Sequence, residues 1–409
     1  MSVFHFTKLR EHTEKIGSGV TPQGGEASYK SQGIPLIRSQ NVRVNRLDLS
    51  DVALIDQDQH NKMSGSKVVP GDVLLNITGA SIGRSCVVPH NVVESNVNQH
   101  VCIIRPKASI DARFLSLFLN SWFGQKQICS FQGGGSREAL NFQQIGKFDI
   151  PTPPIPEQKA IAALLSTWDE AIEKTERLVK AKEMRFKWLL RELISEPRNT
   201  QKGTEWKKVK LGDIGEICSA GVDKKLNNNE ISVRLLNYLD VYRRDFVYSS
   251  ELTHEVTAPK TKAEKCDIRK GDVFFTPSSE VRGDVAYSAV AMEDIANGVY
   301  SYHIVRFRLH ENIDLLYRAY AFKSSGFFKQ AYKYCEGSGQ RYVISQSNFR
   351  KIEILLPTLE RQKEIAEILS YSQREIKMLK QLADKYKTQK HGLMQKMLTG
   401  QWRLNGFAE

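Results

Sequence analysis

The 409-residue chain is predicted to be a mixed α/β protein with a pseudo-two-fold internal repeat: two globular domains separated by two long antiparallel coiled-coil helices. Three observations predict this. First, one segment occurs twice, as EQKAIAALLSTWDEAI from Glu157 and RQKEIAEILSYSQREI from Arg361. Gln158 aligns with Gln362, Lys159 with Lys363, Ile161 with Ile365, Leu165 with Leu369 and Ile172 with Ile376. Repetition at about half the chain length means two copies of one unit. Second, apolar or tolerable residues recur in alternating steps of four and three after each copy, which is a coiled-coil seam. Third, short apolar runs flanked by Gly, Pro or Asn precede each helix and read as strands.

In chain order, a first globular domain spans 1–154 and a long helix 155–196. A linker at 197–205 leads to a second globular domain at 206–356, a second long helix at 357–399 and a tail at 400–409. The globular parts match as well. Gly71-Asp72-Val73 pairs with Gly271-Asp272-Val273, and His100 and His303 each precede an apolar run. Strands are predicted at 72–77, 101–105, 272–276 and 304–309, and Asp111 and Asp314 stand as helix N-caps.

The first seam runs through Ile161, Leu165, Trp168, Ile172, Thr175, Val179, Lys182, Phe186, Leu189 and Leu193. The second runs through Ile365, Leu369, Ser372, Ile376, Leu379, Ala383, Tyr386, Lys390, Leu393 and Met397. Thr175, Lys182, Ser372 and Lys390 weaken single layers. Pro151, Pro153, Pro154 and Pro156 mark the start of one helix and Pro357 that of the other, while Pro197 and Gly400 close them. A helix of this length reaches roughly 57 Å at 1.5 Å per residue.

Composition bounds the function. A formal charge of +13 and a pI near 9.3 point to a polyanion, because each neutralised phosphate releases a counterion. The six cysteines are scattered, with no zinc or redox spacing, and read as buried thiols in a reducing compartment. No apolar run approaches membrane-spanning length, and the first residues carry no continuous apolar segment of signal-peptide length, so no membrane and a cytoplasmic location are expected.

Catalytic signatures are missing. Gly65-Ser66-Lys67 lacks the upstream glycine of a phosphate loop, and Pro153-Pro154 is followed by Ile155 rather than the aromatic residue of an amino-methyltransferase motif. Asp149 with Glu157 and Lys159 mimics a metal-nuclease arrangement, in which two carboxylates hold Mg²⁺. The second copy puts Arg361 in place of Glu157, which argues against it. His100 and His303 have no carboxylate or cysteine cluster beside them, and read as satisfied core or DNA-facing side chains. No catalytic residue and no metal ligand is assigned.

A binding surface remains. In the first domain the candidates are Arg38, Ser39, Gln40, Asn41, Asn76, Thr78, Gly79, Ser81, Arg84, Gly134, Ser136 and Arg137. In the second they are Asn237, Tyr238, Thr276, Ser278, Ser279, Arg282, Gly337, Ser338, Gln340 and Arg341. Arg reads guanine and Asn or Gln reads adenine through paired hydrogen bonds, while hydroxyls and backbone amides hold phosphates. These segments differ between the copies more than the helices do, as one scaffold reading two sequences requires.

The run from Pro154 to Ala162, its echo from Thr358 to Ala366, and the Gly-Asp-Val before a strand in each half together resemble the specificity subunit of type I restriction-modification enzymes. The resemblance covers nearly the whole chain. It implies a non-catalytic subunit with two target-recognition domains, each reading one half of a bipartite target in double-stranded DNA. The helices would set the spacing, with half-sites centred roughly 10 base pairs apart, and dock partners through Gln158, Lys159, Ile161, Leu165, Ile172 and their counterparts Gln362, Lys363, Ile365, Leu369 and Ile376. The implied partners are two methyltransferase subunits and two motor and endonuclease subunits. The chain itself would bind no cofactor, since S-adenosylmethionine, ATP and Mg²⁺ serve the partners. The second copy departs at Arg361 and at Glu360, which replaces Pro156, so its helix start is expected to be built differently. A stand-alone DNA-binding regulator held by a coiled coil is the alternative.

Overall fold

A computed structural model describes residues 4–92, 94–132, 139–194, 206–339 and 341–407. They form two compact units, Met1–Glu176 with Gln381–Glu409, and Arg177–Lys380. Each unit therefore holds one globular domain and one half of each long helix.

In the first unit a four-stranded antiparallel sheet runs in the order Thr13–Ser18, Val101–Pro106, Val73–Asn76, Ser85–Val87. A second sheet sets Ile34–Ile37 between Ala53–Ile55 and Asn96–Val97, and Phe6–Lys8 pairs with Asp149–Pro151. The strand Val73–Asn76 is buried along its whole length, because its alternate side chains enter two different cores. Val73 and Leu75 pack with Phe114, Phe118 and the helix residues Ile161 and Leu165, while Leu74 packs with Ile37, Val97 and Ile103.

The second unit repeats the plan with additions. Its main sheet orders Gly215–Cys218, Val305–Leu309, Val273–Phe275, Ser288–Ala291 and Phe246–Val247. Lys207–Lys210 pairs with Glu353–Leu356, as Phe6–Lys8 does with its partner. A three-stranded sheet of Ser278–Ser279, Arg341–Val343 and Glu336–Ser338 carries an exposed hairpin.

The predicted strands shorten at Asp72 and Asp272 for a physical reason. Gly71 and Gly271 sit at φ of +89° and +87°, which only glycine adopts at low cost. The following carboxylate accepts a turn hydrogen bond from Val69 N or Arg269 N, both at 2.8 Å. It also forms a two-pronged ion pair, Asp72 with Arg105 and Asp272 with Arg308. Gly-Asp-Val is thus a turn, a clamp and a strand start.

The long helices span Ile155–Leu193 and Leu359–Met397. Every predicted seam residue is buried or half-buried. In the first unit rising number on one helix meets falling number on the other, Asp169 with Lys390 and Glu176 with Lys387, so the helices run antiparallel there. Trp168 also packs edge-on against Tyr386, and in the second unit Lys182 pairs with Glu375 and Glu183 with Lys380. Two lysines predicted to weaken the seam are paired, Lys182 with Glu375 and Lys390 with Asp169. Pro156 falls in the first turn, where no backbone N–H is needed. Gly400 closes the second helix at φ +73°, against Phe4. Pro197 lies outside the described residues.

Asp111 caps the helix Ala112–Asn120 by accepting from Phe114 N. Asp314 accepts from Tyr317 N in the same way, but there the chain first makes a turn and the helix begins at Arg318. No described helix is long and apolar enough to cross a membrane.

Candidate nucleic-acid interface

In the first unit the dispersed candidate segments meet at Asn76. Its side-chain amide, fully buried at the end of Val73–Asn76, donates to Ser39 O at 2.9 Å and to Ser81 Oγ at 3.1 Å. Its backbone pairs with Arg84 O and Gly83 N. The 38–41 loop, the 79–81 turn and Arg84 are thus gathered around one residue. Asn41 builds the loop itself, accepting from Arg38 N and donating to Asp48 O and Asp51 O. The amides of Asn41 and Asn76 hold the loop; Gln40 and Gly79 stay exposed, and Ser39, Ser81 and Arg84 are half-exposed.

Thr78 lies on the same rim. Its hydroxyl bonds His100 Nδ1 at 2.7 Å, and Gln99 Nε2 lies 3.0 Å from His100 Nε2, so both ring nitrogens are engaged. Ala139 forms a β-bridge with Thr78, which brings the chain just after 133–138 to this rim. Gly134, Ser136 and Arg137 lie outside the described residues.

The second unit has the same rim with different chemistry. Asn237 N donates to Asp240 Oδ2, as Arg38 N does to Asn41. Tyr238 donates its hydroxyl to Ser278 O at 2.9 Å, and burial raises its pKa. Thr276 accepts from Tyr287 N, and Ser279 accepts from Val281 N. Arg282 is held down, donating to Cys335 O and lying 4.5 Å from the Tyr332 ring centroid. Gly337, Ser338 and Arg341 occupy the exposed hairpin, and Gln340 lies outside the described residues. Arg341 leans back through Nη2 onto Ser278 Oγ at 3.3 Å.

Between hairpin and sheet lies a groove of 390 Å³ lined by Ser219, Ser278, Tyr302, His303, Arg341 and Gln346, among others. The rings of Tyr302 and His303 touch, with centroids 3.8 Å apart and planes tilted by 40°. Burial, with Arg341 and Lys224 nearby, holds the His303 pKa below its usual value. Tyr302, Ser219 and Gln346 were absent from the sequence candidates. The available signal was positional, since Tyr302 adjoins the histidine that recurs in both copies.

The helix residues separate into two kinds. Gln158 is fully buried, accepting from Asp111 N at 2.7 Å and donating to Pro153 O at 2.8 Å. Gln362 does the same toward Asp314 N and Pro357 O, both at 2.9 Å. Ile161, Leu165, Ile365 and Leu369 lie in the cores and Ile376 is buried, while Ile172 is half-buried. Lys159 and Lys363 alone face outward, beside Asp111 and Asp314. On the outer helix faces of the second unit stand Met184, Trp188, Ile368, Tyr371 and Met378, all exposed.

Glu157 is fully buried and holds Arg403 of the tail through both oxygens, at 3.0 and 2.7 Å. Asp149 instead pairs with Lys8. The carboxylate of the apparent nuclease motif is therefore neutralised by an arginine, and no group of three metal-ligating side chains occurs among the described residues.

Residues 4–183 and 203–386 each match the family described as "Type I restriction modification DNA specificity domain". The putative type I restriction enzyme MjaX specificity subunit of Methanocaldococcus jannaschii is 22% identical over 97% of this chain and 93% of its own. The StySPI specificity subunit of Salmonella potsdam is 23% identical over 90% and 83%. Among solved structures, a chain from work on complex assembly and conformational transition of the type I R-M system aligns over 98% of both chains, with a TM-score of 0.62 and 17% identity. The HsdS subunit from Thermoanaerobacter tengcongensis aligns over 98% and 97%, with a TM-score of 0.51 and 17% identity. With both halves matched, the chain belongs to the type I restriction-modification DNA specificity family, whose domain it carries twice.

Proposed function

We propose that this chain is the DNA-specificity subunit of a type I restriction-modification assembly and has no catalytic activity of its own. The observation that carries the reading is the duplicated recognition fold, with one hydrogen-bond frame and two different rims. Each domain, 1–154 and 206–356, reads one half of a bipartite, asymmetric target. The two long helices set the spacing between halves. In the rims, the side chains of Gln40, Ser39 and Arg84 and the backbone of Gly79 do the reading in the first domain, and Arg341, Ser338 and the groove beside them in the second. Asn41, Asn76, Thr276 and Arg282 shape the loops that present them.

The partners are methyltransferase subunits, two per chain, and two motor and endonuclease subunits. Lys159 and Lys363 are the outward-facing members of the repeated helix start. The exposed apolar side chains around Trp188 and Tyr371 suit a partner that covers apolar surface. S-adenosylmethionine, ATP and Mg²⁺ belong to the partners and no cofactor to this chain. Mapping N6-methyladenine in cells that carry this chain with its methyltransferase should return one split motif. A continuous motif, no methylation, or DNA cleavage by the purified chain with Mg²⁺ would overturn the reading.

A further inference from the structure

The groove of the second unit contains an imidazole with nothing to bond. His303 is half-buried, and neither ring nitrogen has a hydrogen-bond partner among the described residues, whereas both nitrogens of His100 are engaged. Arg341 on the opposite wall is equally underused. Of its five donors, one touches Ser278 Oγ, and its guanidinium makes no ion pair among the described residues. The Tyr302 ring lies against His303, tilted by 40° to it. Two side chains with free, complementary hydrogen-bonding edges therefore face one 390 Å³ groove.

Their chemistry selects a base pair. Guanine offers two acceptors, O6 and N7, to a guanidinium fork in the major groove, and its cytosine offers the N4 amino donor. A neutral imidazole has one acceptor nitrogen. An adenine–thymine pair offers no two-acceptor edge on one base. Resting on the function proposed above, we propose that Arg341 and His303 together read one G·C pair in the second half-target, Arg341 taking the guanine edge and His303 the cytosine amino group. The pair is specific to the second half, because the first presents Gln99 and His100 already bonded to each other at this place.

The test uses the chain in complex with its methyltransferase, after the wild-type motif has been mapped. Binding is measured to duplexes in which each base pair of the second half is replaced in turn. The wild-type complex should disfavour replacement at one G·C pair by tenfold or more. R341K, which keeps the charge but loses the fork, and H303F, which keeps an aromatic ring beside Tyr302 but loses the nitrogens, should each flatten discrimination at that same pair. Discrimination in the first half should stay as it was. Loss at two different pairs, loss at an A·T pair, or equal weakening on every duplex would overturn the proposal, the last because it marks a phosphate contact. Unfolding of either variant would overturn it too, since both side chains are taken to be free of structural duty. A wild-type complex with no split motif would instead bring down the functional reading itself.

Discussion

The two recognition units share the main hydrogen bonds of their frames and disagree at their rims. Asp72–Arg105 and Asp272–Arg308 clamp equivalent turns. Gln127 brackets Asp149 with both amide atoms, as Gln330 brackets Glu353. Gln158 and Gln362 peg their helices to the N–H of Asp111 and Asp314. At the rims, Thr78, Gln99 and His100 form a closed hydrogen-bonded set, whereas Ser278, Tyr302, His303 and Arg341 form an open one. One further link repeats with altered chemistry: Asn120 reaches Asn45, while Lys323 reaches Asp245. The frame fixes where the backbone runs and tolerates a change of charge in its cross-links; the rim is left free to differ.

The largest asymmetry within the frame is at the helix starts, and breaking it should be costly on one side only. Glu157 is fully buried against Arg403, while its counterpart Arg361 makes an exposed pair with Glu364. R403A strands a buried carboxylate and should cost the first unit about 3–5 kcal/mol. R361A removes a surface pair and should cost the second about 0.5 kcal/mol or less. Denaturant unfolding of the full chain, followed by a probe in each unit, checks both values. Comparable losses would mean that the tail clamp is ornamental.

The glutamine pegs should break alike. Q158A and Q362A each leave a partly buried N–H and a buried proline carbonyl without partners. Each should destabilise its own unit by about 2–3 kcal/mol, with the two values within about 1 kcal/mol of each other. A large difference would show that the frames are alike in geometry but not in energy.

Much of this was legible in the sequence, and its limits were physical. The seam was readable because period alone decides which residues face inward; every residue from Ile161 to Leu193 and from Ile365 to Met397 in the pattern is at least half-buried. The duplicated glutamine was readable as important but not as a peg, since its partners lie some fifty residues earlier, at Asp111 and Asp314. The rims were least readable. Asn41, Asn76 and Arg282 are residue types that read bases, yet here their hydrogen bonds are spent on the loop. Composition cannot tell a free amide from a committed one. Tyr302 was missed because an aromatic residue beside a buried run reads as core, and only the fold turns it outward.

The smallest predicted effect bears on the open rim. Burial and the charges of Arg341 and Lys224 hold His303 below its ordinary pKa, which is about 6.5 in an unfolded chain. Between the two values the unfolded chain binds more protons than the folded one, so stability rises with pH through that window. As pH falls through about 6.5 toward the folded value, the second unit should lose a little stability. The imidazole is only half-buried, so the loss should be small, and it should shrink in high salt as repulsion from Arg341 and Lys224 is screened. H303Q removes the titrating group and should flatten this part of the profile, measured as the unfolding midpoint of the second unit between pH 5 and 7. An equal slope in wild type and H303Q would place the proton elsewhere. It would also remove the reason for treating His303 as a neutral acceptor when DNA arrives.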